Sequence, residues 1–109
     1  MKKKAMTDNL TLELRRGAIV LAVLSQLEKE QYGYSLIKLL AERGMEIDQG
    51  TIYPLLRRLE ANGLLLSEWR VEGPRPRRYY RTSPAGKETL EALGSEWKRL
   101  VEVMEGLMS

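Results

Sequence analysis

Along the chain, apolar residues recur at the spacing of one helix face over four stretches, and between the third and fourth they give way to β-formers. The first stretch steps through Leu10, Leu14, Gly17, Leu21 and Leu24, and its second half adds Ile19, Val20, Val23 and Leu27 on the other faces. It predicts a long helix from Leu10 to Leu27 whose second half is buried nearly all round. The second stretch carries Leu36, Ile37 and Leu40 as its stripe, and Gly44 stands where a left-handed cap would end it. The third opens after Asp48, places Ile52, Leu55, Leu56 and Leu59 at i, i+3, i+4 and i+7, and stops at Asn62 and Gly63. Pro54 conflicts with this helix, because a proline past the first turn loses a backbone hydrogen bond and clashes with the carbonyl one turn back. Two solutions remain: a helix that starts later than Asp48, or one that bends at Pro54.

Residues 64–72 and 77–82 carry Trp69, Val71, Tyr79 and Tyr80 on two segments joined by Gly73, Pro74, Arg75 and Pro76, which predicts a hairpin with a stiffened tip. Ser83 then offers an N-cap, and Pro84 follows at the first helical position, where its missing N–H costs nothing. In the last helix Leu90, Leu93, Trp97, Leu100, Met104 and Leu107 step by three, four, three, four and three, a heptad seam flanked by Glu and Lys. The expected fold class is mainly α with a small β-hairpin (α+β), a winged helix-turn-helix over residues 1–83 followed by a C-terminal dimerisation helix over 84–109. Leu10 and Leu14 join the seam as expected dimer contacts; the alternative is that the seam packs within one chain.

Composition narrows the chemistry. The chain has no cysteine and no histidine, which removes disulfides, the usual zinc ligands, thiol nucleophiles and imidazole acid–base groups. It also lacks a Gly-rich phosphate loop, a paired-carboxylate motif and a Ser-x-x-Lys arrangement. A protein that is no enzyme and has no cofactor or metal site is expected. No apolar run approaches the length of a membrane span, and Lys2, Lys3 and Lys4 precede no signal-type cleavage pattern, so a cytoplasmic protein is expected, with those lysines read as a disordered terminus.

The net charge of +3 says less than its distribution. On the third helix Gly50, Pro54, Arg57 and Ala61 lie opposite the apolar stripe, with Thr51, Tyr53 and Arg58 on the flanks. Gly50 admits a close backbone approach, Thr51 and Tyr53 offer hydrogen bonds, and Arg57 and Arg58 offer guanidinium forks suited to phosphate or guanine. The hairpin adds Arg75, Arg77 and Arg78 at its tip and Arg70 and Arg81 on its strands, opposed only by Glu72. Tyr34, near the start of the second helix, is a further phosphate candidate. Each has a plainer alternative: capping or packing for Thr51 and Tyr53, surface pairing of Arg57 and Arg58 with Glu60, Glu46 or Asp48, and a solvated loop for the arginines at the tip.

The stretches YGYSLIKLL, GTIYPLLRRLEANGLLLSEW and GPRPRRYYRTSPAGKETL resemble the PadR-like transcriptional regulators, and together they cover about two-thirds of the chain. The resemblance implies a homodimer joined through its first and last helices, with two recognition helices reading double-stranded DNA at a pseudo-palindromic operator, usually as a repressor. It also accounts for Pro54, since the family carries Tyr-Pro early in that helix, and the single terminal helix is similar to the family's short subgroup. Trp97 reads first as the anchor of the dimer interface; the resemblance adds a second role, in which Trp97 and Met104 line a two-fold pocket for a small aromatic or hydrophobic effector. The rival is a winged-helix module that docks protein through the same face.

Overall fold

The computed structural model describes residues 2–109, and Met1, the first residue of the expected DNA-binding unit, lies outside them. Its elements run α1 (Lys2–Gln26), β1 (Gln31–Tyr32), α2 (Gly33–Glu42), α3 (Gln49–Ala61), β2 (Leu65–Glu72), β3 (Arg75–Thr82) and α4 (Pro84–Met108). The sheet is antiparallel in the order β1-β3-β2. Four helices and a hairpin were expected; β1 was not. It is two residues long, too short for any periodicity to register, and it exists because Gln31 and Tyr32 pair with Tyr80 and Tyr79.

The core gathers the predicted stripes of α2 and α3 and the end of α1: Val23, Leu24 and Leu27 of α1, Leu36 and Leu40 of α2, and Ile52, Leu55, Leu56 and Leu59 of α3, closed by Leu65 and Tyr80 of the sheet. Of the α1 stripe expected from Leu10 to Leu24 only Leu24 is buried. Burying these side chains, each stabilising by about 1.5–3 kcal/mol, fixes how α3 lies on α2 and β2. Gly44 adopts φ +97°, and the N–H groups of Gly44 and Met45 donate to the Ala41 and Leu40 carbonyls at 3.0 and 2.8 Å, so α2 ends in a Schellman turn.

Two element boundaries differ from expectation. α1 begins at Lys2 rather than Leu10, so the lysines expected to be disordered are helical; nothing in this segment breaks a helix before Gly17, and Lys, Ala, Met, Leu and Glu all favour one. The hairpin tip is shorter than the predicted four-residue link, because Glu72 pairs with Arg75 and only Gly73 and Pro74 form the turn. Gly73 takes φ +66° and proline fixes the next φ negative, the order of a type II′ turn. Pro76 is tolerated in β3 because β1 pairs only with Tyr79 and Tyr80, leaving no ladder on that side for the missing N–H to interrupt.

α3 settles the Pro54 question against a late start. It runs unbroken from Gln49 through Pro54, with the Asp48 carboxylate accepting from the Thr51 N–H at 3.0 Å as N-cap. The bond from residue 54 to the Gly50 carbonyl cannot form, and both positions are exposed, so solvent reaches that carbonyl. The junction from β3 into α4 is buried and fully hydrogen-bonded. The Thr82 N–H donates to the Leu27 carbonyl at 2.8 Å and the Thr82 hydroxyl to the Leu24 carbonyl at 3.1 Å. Ser83 caps α4 by accepting from the Gly86 N–H at 3.0 Å, and its hydroxyl donates to the Gly63 carbonyl at 2.6 Å. A Cβ at Gly86 would lie 2.1 Å from the Leu64 carbonyl oxygen, so only glycine lets α4 start this close to the α3–β2 link.

Candidate nucleic-acid interface

With its stripe buried, α3 presents a ridge to solvent, and a groove of about 620 Å³ runs between this ridge and the hairpin, floored by the start of α2. Six of the nine residues expected to meet DNA surround it: Tyr34, Tyr53, Arg57, Arg75, Arg77 and Arg78. Gly50 lies exposed at the start of the ridge, where a Cβ would meet nothing closer than an Asp48 carboxylate oxygen at 3.9 Å. Thr51 and Arg58 face the other way, towards a smaller groove of about 340 Å³ between α3 and α1 that Arg16 also lines. Neither Arg57 nor Arg58 takes part in an ion pair among the described residues, so the surface pairings weighed for them do not form.

Tyr53 is half-buried and its position depends on a residue that pattern reasoning passed over. An ideal Cβ at Gly33 would stand 2.2 Å from the Tyr53 Cε1, so the ring lies directly on the bare backbone at the start of α2. The glycine between two tyrosines in YGY was the available signal. Beside it, the Tyr32 ring meets Tyr79 edge-on at 5.5 Å and carries the Arg77 guanidinium 4.5 Å above its face. Arg77 is thus held by an aromatic surface while its charge remains exposed, the disposition of a cation offered to an anion.

The five hairpin arginines are not equivalent. Arg75, Arg77 and Arg81 are exposed. Arg70 donates to Glu30 at 2.7 Å and to Glu68 at 2.8 Å, and its guanidinium lies 4.6 Å over Tyr79. Arg78 donates to Glu60 at 2.6 Å through Nη2 and to the Ser67 hydroxyl at 3.0 Å through Nε, while the Ser67 hydroxyl donates to the second Glu60 oxygen. The expectation of a single arginine edge opposed only by Glu72 is corrected here: Glu68 lies on β2 beside Arg70, and Glu30 and Glu60 arrive from other parts of the fold, Glu30 from forty residues away in sequence. Glu72 instead accepts from the Tyr79 hydroxyl at 2.8 Å, and that bond is the main cause raising the Tyr79 pKa, as burial raises that of Tyr80. Both phenols stay neutral at physiological pH, and the arginines set the charge of the groove.

On the far side, α1 packs along α4. Leu10, Leu14, Leu93, Trp97, Leu100, Met104 and Leu107 are all exposed, whereas Leu90 packs onto the core. Among the described residues no helix is long and apolar enough to cross a membrane.

The arrangement of three helices, a short strand and a two-stranded wing matches known proteins closely. Residues 20–92 match the model of the Transcriptional regulator PadR-like family. The chain belongs to this family. It is 44% identical over 79 residues to the transcriptional regulator Rv3488 of Mycobacterium tuberculosis, covering 72% of this chain and 74% of that one. The crystal structure of a PadR family transcriptional regulator from Eggerthella lenta superposes with a TM-score of 0.91 at 44% identity, over 100% of this chain and 97% of the other. A PadR family regulator from Clostridium difficile is 32% identical with a TM-score of 0.76, over 84% and 98% of the two chains. The fold is accordingly the winged helix of a PadR-like transcriptional regulator, as the motifs implied, and the Tyr53-Pro54 pair falls within the matched region.

Proposed function

We propose that this regulator is a sequence-specific DNA-binding repressor that acts as a homodimer. Residues 1–83 form the DNA-binding unit and residues 84–109 the dimerisation arm. In this reading α3 enters the major groove with Gly50, Tyr53 and Arg57 toward the bases, while Thr51 and Arg58, on the side of the helix that faces α1, meet flanking phosphates. The wing carries Arg75 and Arg77 along the adjacent backbone, and Tyr34 reaches a phosphate from α2. The observation that carries the reading is the groove between α3 and the wing, where the exposed Arg57, Arg75 and Arg77, in no ion pair among the described residues, stand beside Tyr34 and Tyr53. The exposed stripe of α4 supports the dimer, and a dimer would set two such surfaces against two half-sites of a pseudo-palindromic operator.

Trp97 and Met104 lie on that stripe, and in a dimer they would sit where a planar aromatic or hydrophobic effector can stack and shift the spacing of the two α3 helices. Fluorescence anisotropy with a labelled duplex from upstream of the protein's own gene, titrated against a scrambled duplex at several salt concentrations, tests the central claim. Tight, salt-steep binding with a preference for the native duplex is expected. Absence of binding to either duplex at low salt overturns the reading and favours a protein-docking role for the same face.

A further inference from the structure

Glu60 sits near the end of the recognition helix, Ser67 on β2 and Arg78 on β3, and their hydrogen bonds close a ring: Arg78 Nη2 to Glu60 at 2.6 Å, Arg78 Nε to Ser67 at 3.0 Å, and Ser67 to Glu60. The Arg78 side chain is only 35% exposed and that of Glu60 26%. The guanidinium also lies 5.4 Å from the Tyr80 ring centre and 5.8 Å from that of Trp69, so two aromatic faces restrict it further. Two of its five N–H groups thus serve these neighbours and set the direction of the guanidinium, and turning it outward to a phosphate would leave a half-buried carboxylate unpaired. α3 and β2 are joined by only Asn62, Gly63 and Leu64, a link whose Gly63 and Leu64 N–H groups donate to the Glu60 and Leu59 carbonyls at 2.9 Å. These bonds hold the base of β2, and the ring of Glu60, Ser67 and Arg78 ties the hairpin to α3 further along its strands.

From this we infer that Glu60, Ser67 and Arg78 form a latch that fixes the wing's angle to α3, and that Arg78 is a positioning residue which holds no DNA phosphate. The inference rests on the DNA-binding reading above and divides the wing arginines by role: Arg75 and Arg77 meet the backbone, while Arg78 determines where they stand. The faces of the hairpin agree with this division. Arg78 is cross-strand to Trp69 and shares the α3-facing side with Ser67 and Tyr80, whereas Arg75 and Arg77 alternate to the other side.

Salt titrations of Arg78→Gln, Glu60→Gln, the double variant and Arg77→Ala, each on the native and the scrambled duplex, test it. Arg77→Ala is expected to weaken binding to both duplexes and to lower the salt slope by about 0.9, the increment of one phosphate. Arg78→Gln and Glu60→Gln are each expected to weaken binding to the native duplex about tenfold with the slope unchanged, and the double variant to lose no more than either alone. A slope that falls by about 0.9 in Arg78→Gln, or tighter binding with a steeper slope in Glu60→Gln, overturns the latch, because each means that Arg78 is a phosphate ligand. Amide hydrogen exchange of the free protein gives a second readout that needs no DNA. Both single variants should exchange faster across β2 and β3 with α2 unchanged, and unaltered exchange in the wing overturns the latch. If the unaltered protein binds neither duplex, the functional reading falls, and the exchange result still decides the latch.

Discussion

α3 and α4 look alike as sequences and differ as structures. Both carry an apolar stripe at helical spacing and an N-cap side chain that accepts from a backbone N–H. Yet Ile52 and Leu56 of α3 have no exposed surface, while Trp97 of α4 keeps 49% of its surface and Leu107 73%. The stripe of α3 is used within the chain. That of α4 past Leu90 has no counterpart there, because α4 leaves the core after its first turns and runs beside α1, whose own Leu10 and Leu14 are also open. An amphipathic pattern records that a helix has something to bury; it does not say whether the covering surface belongs to the same molecule.

Substitution of the two stripes would separate these cases. Leu56→Ala should lose about 2–5 kcal/mol of folding stability and do so at every protein concentration, as read by chemical denaturation. Leu93→Asp should act mainly on association, raising the dimer dissociation constant at least about thirtyfold by sedimentation equilibrium, with a melting temperature that ceases to depend on concentration. A folded monomer in the unaltered protein at micromolar concentration would break the contrast, since the α4 stripe would then be tolerated in water. The caps sharpen it at smaller scale. Asp48 is exposed and among the described residues its side chain makes only the cap bond, while Ser83 is buried and its hydroxyl also donates to the Gly63 carbonyl. Ser83→Ala should therefore cost more than Asp48→Ala, about 2 against about 1 kcal/mol in thermal unfolding.

Much of the fold was legible because periodicity and caps are local. The stripe of α3, the left-handed Gly44, the Ser83-Pro84 start and the α4 seam each announce themselves within a few residues. β1 was not legible, since two residues have no period and their strand character comes from Tyr79 and Tyr80, nearly fifty residues on. The interface was legible by type and not by role. That arginines would line the hairpin follows from composition; that Arg70 and Arg78 would be taken up by Glu30 and Glu60 depends on which carboxylates the tertiary fold brings near. Gly33 was overlooked for the same reason, because its lack of a side chain matters only once the Tyr53 ring is known to rest on it.

Strict alternation along β3 gives the wing a parity. Odd positions Arg75, Arg77 and Tyr79 face one way and even positions Pro76, Arg78 and Tyr80 the other. A residue inserted between Arg78 and Tyr79 and not absorbed by a bulge would exchange these sides, turning Arg78 away from Glu60 and swinging Arg77 toward it, with no amino acid replaced. Hairpin tips are where chains ordinarily accept length changes most readily. In this one, the strand just below the tip is a place where a single added codon would be more disruptive than many exchanges of side chain.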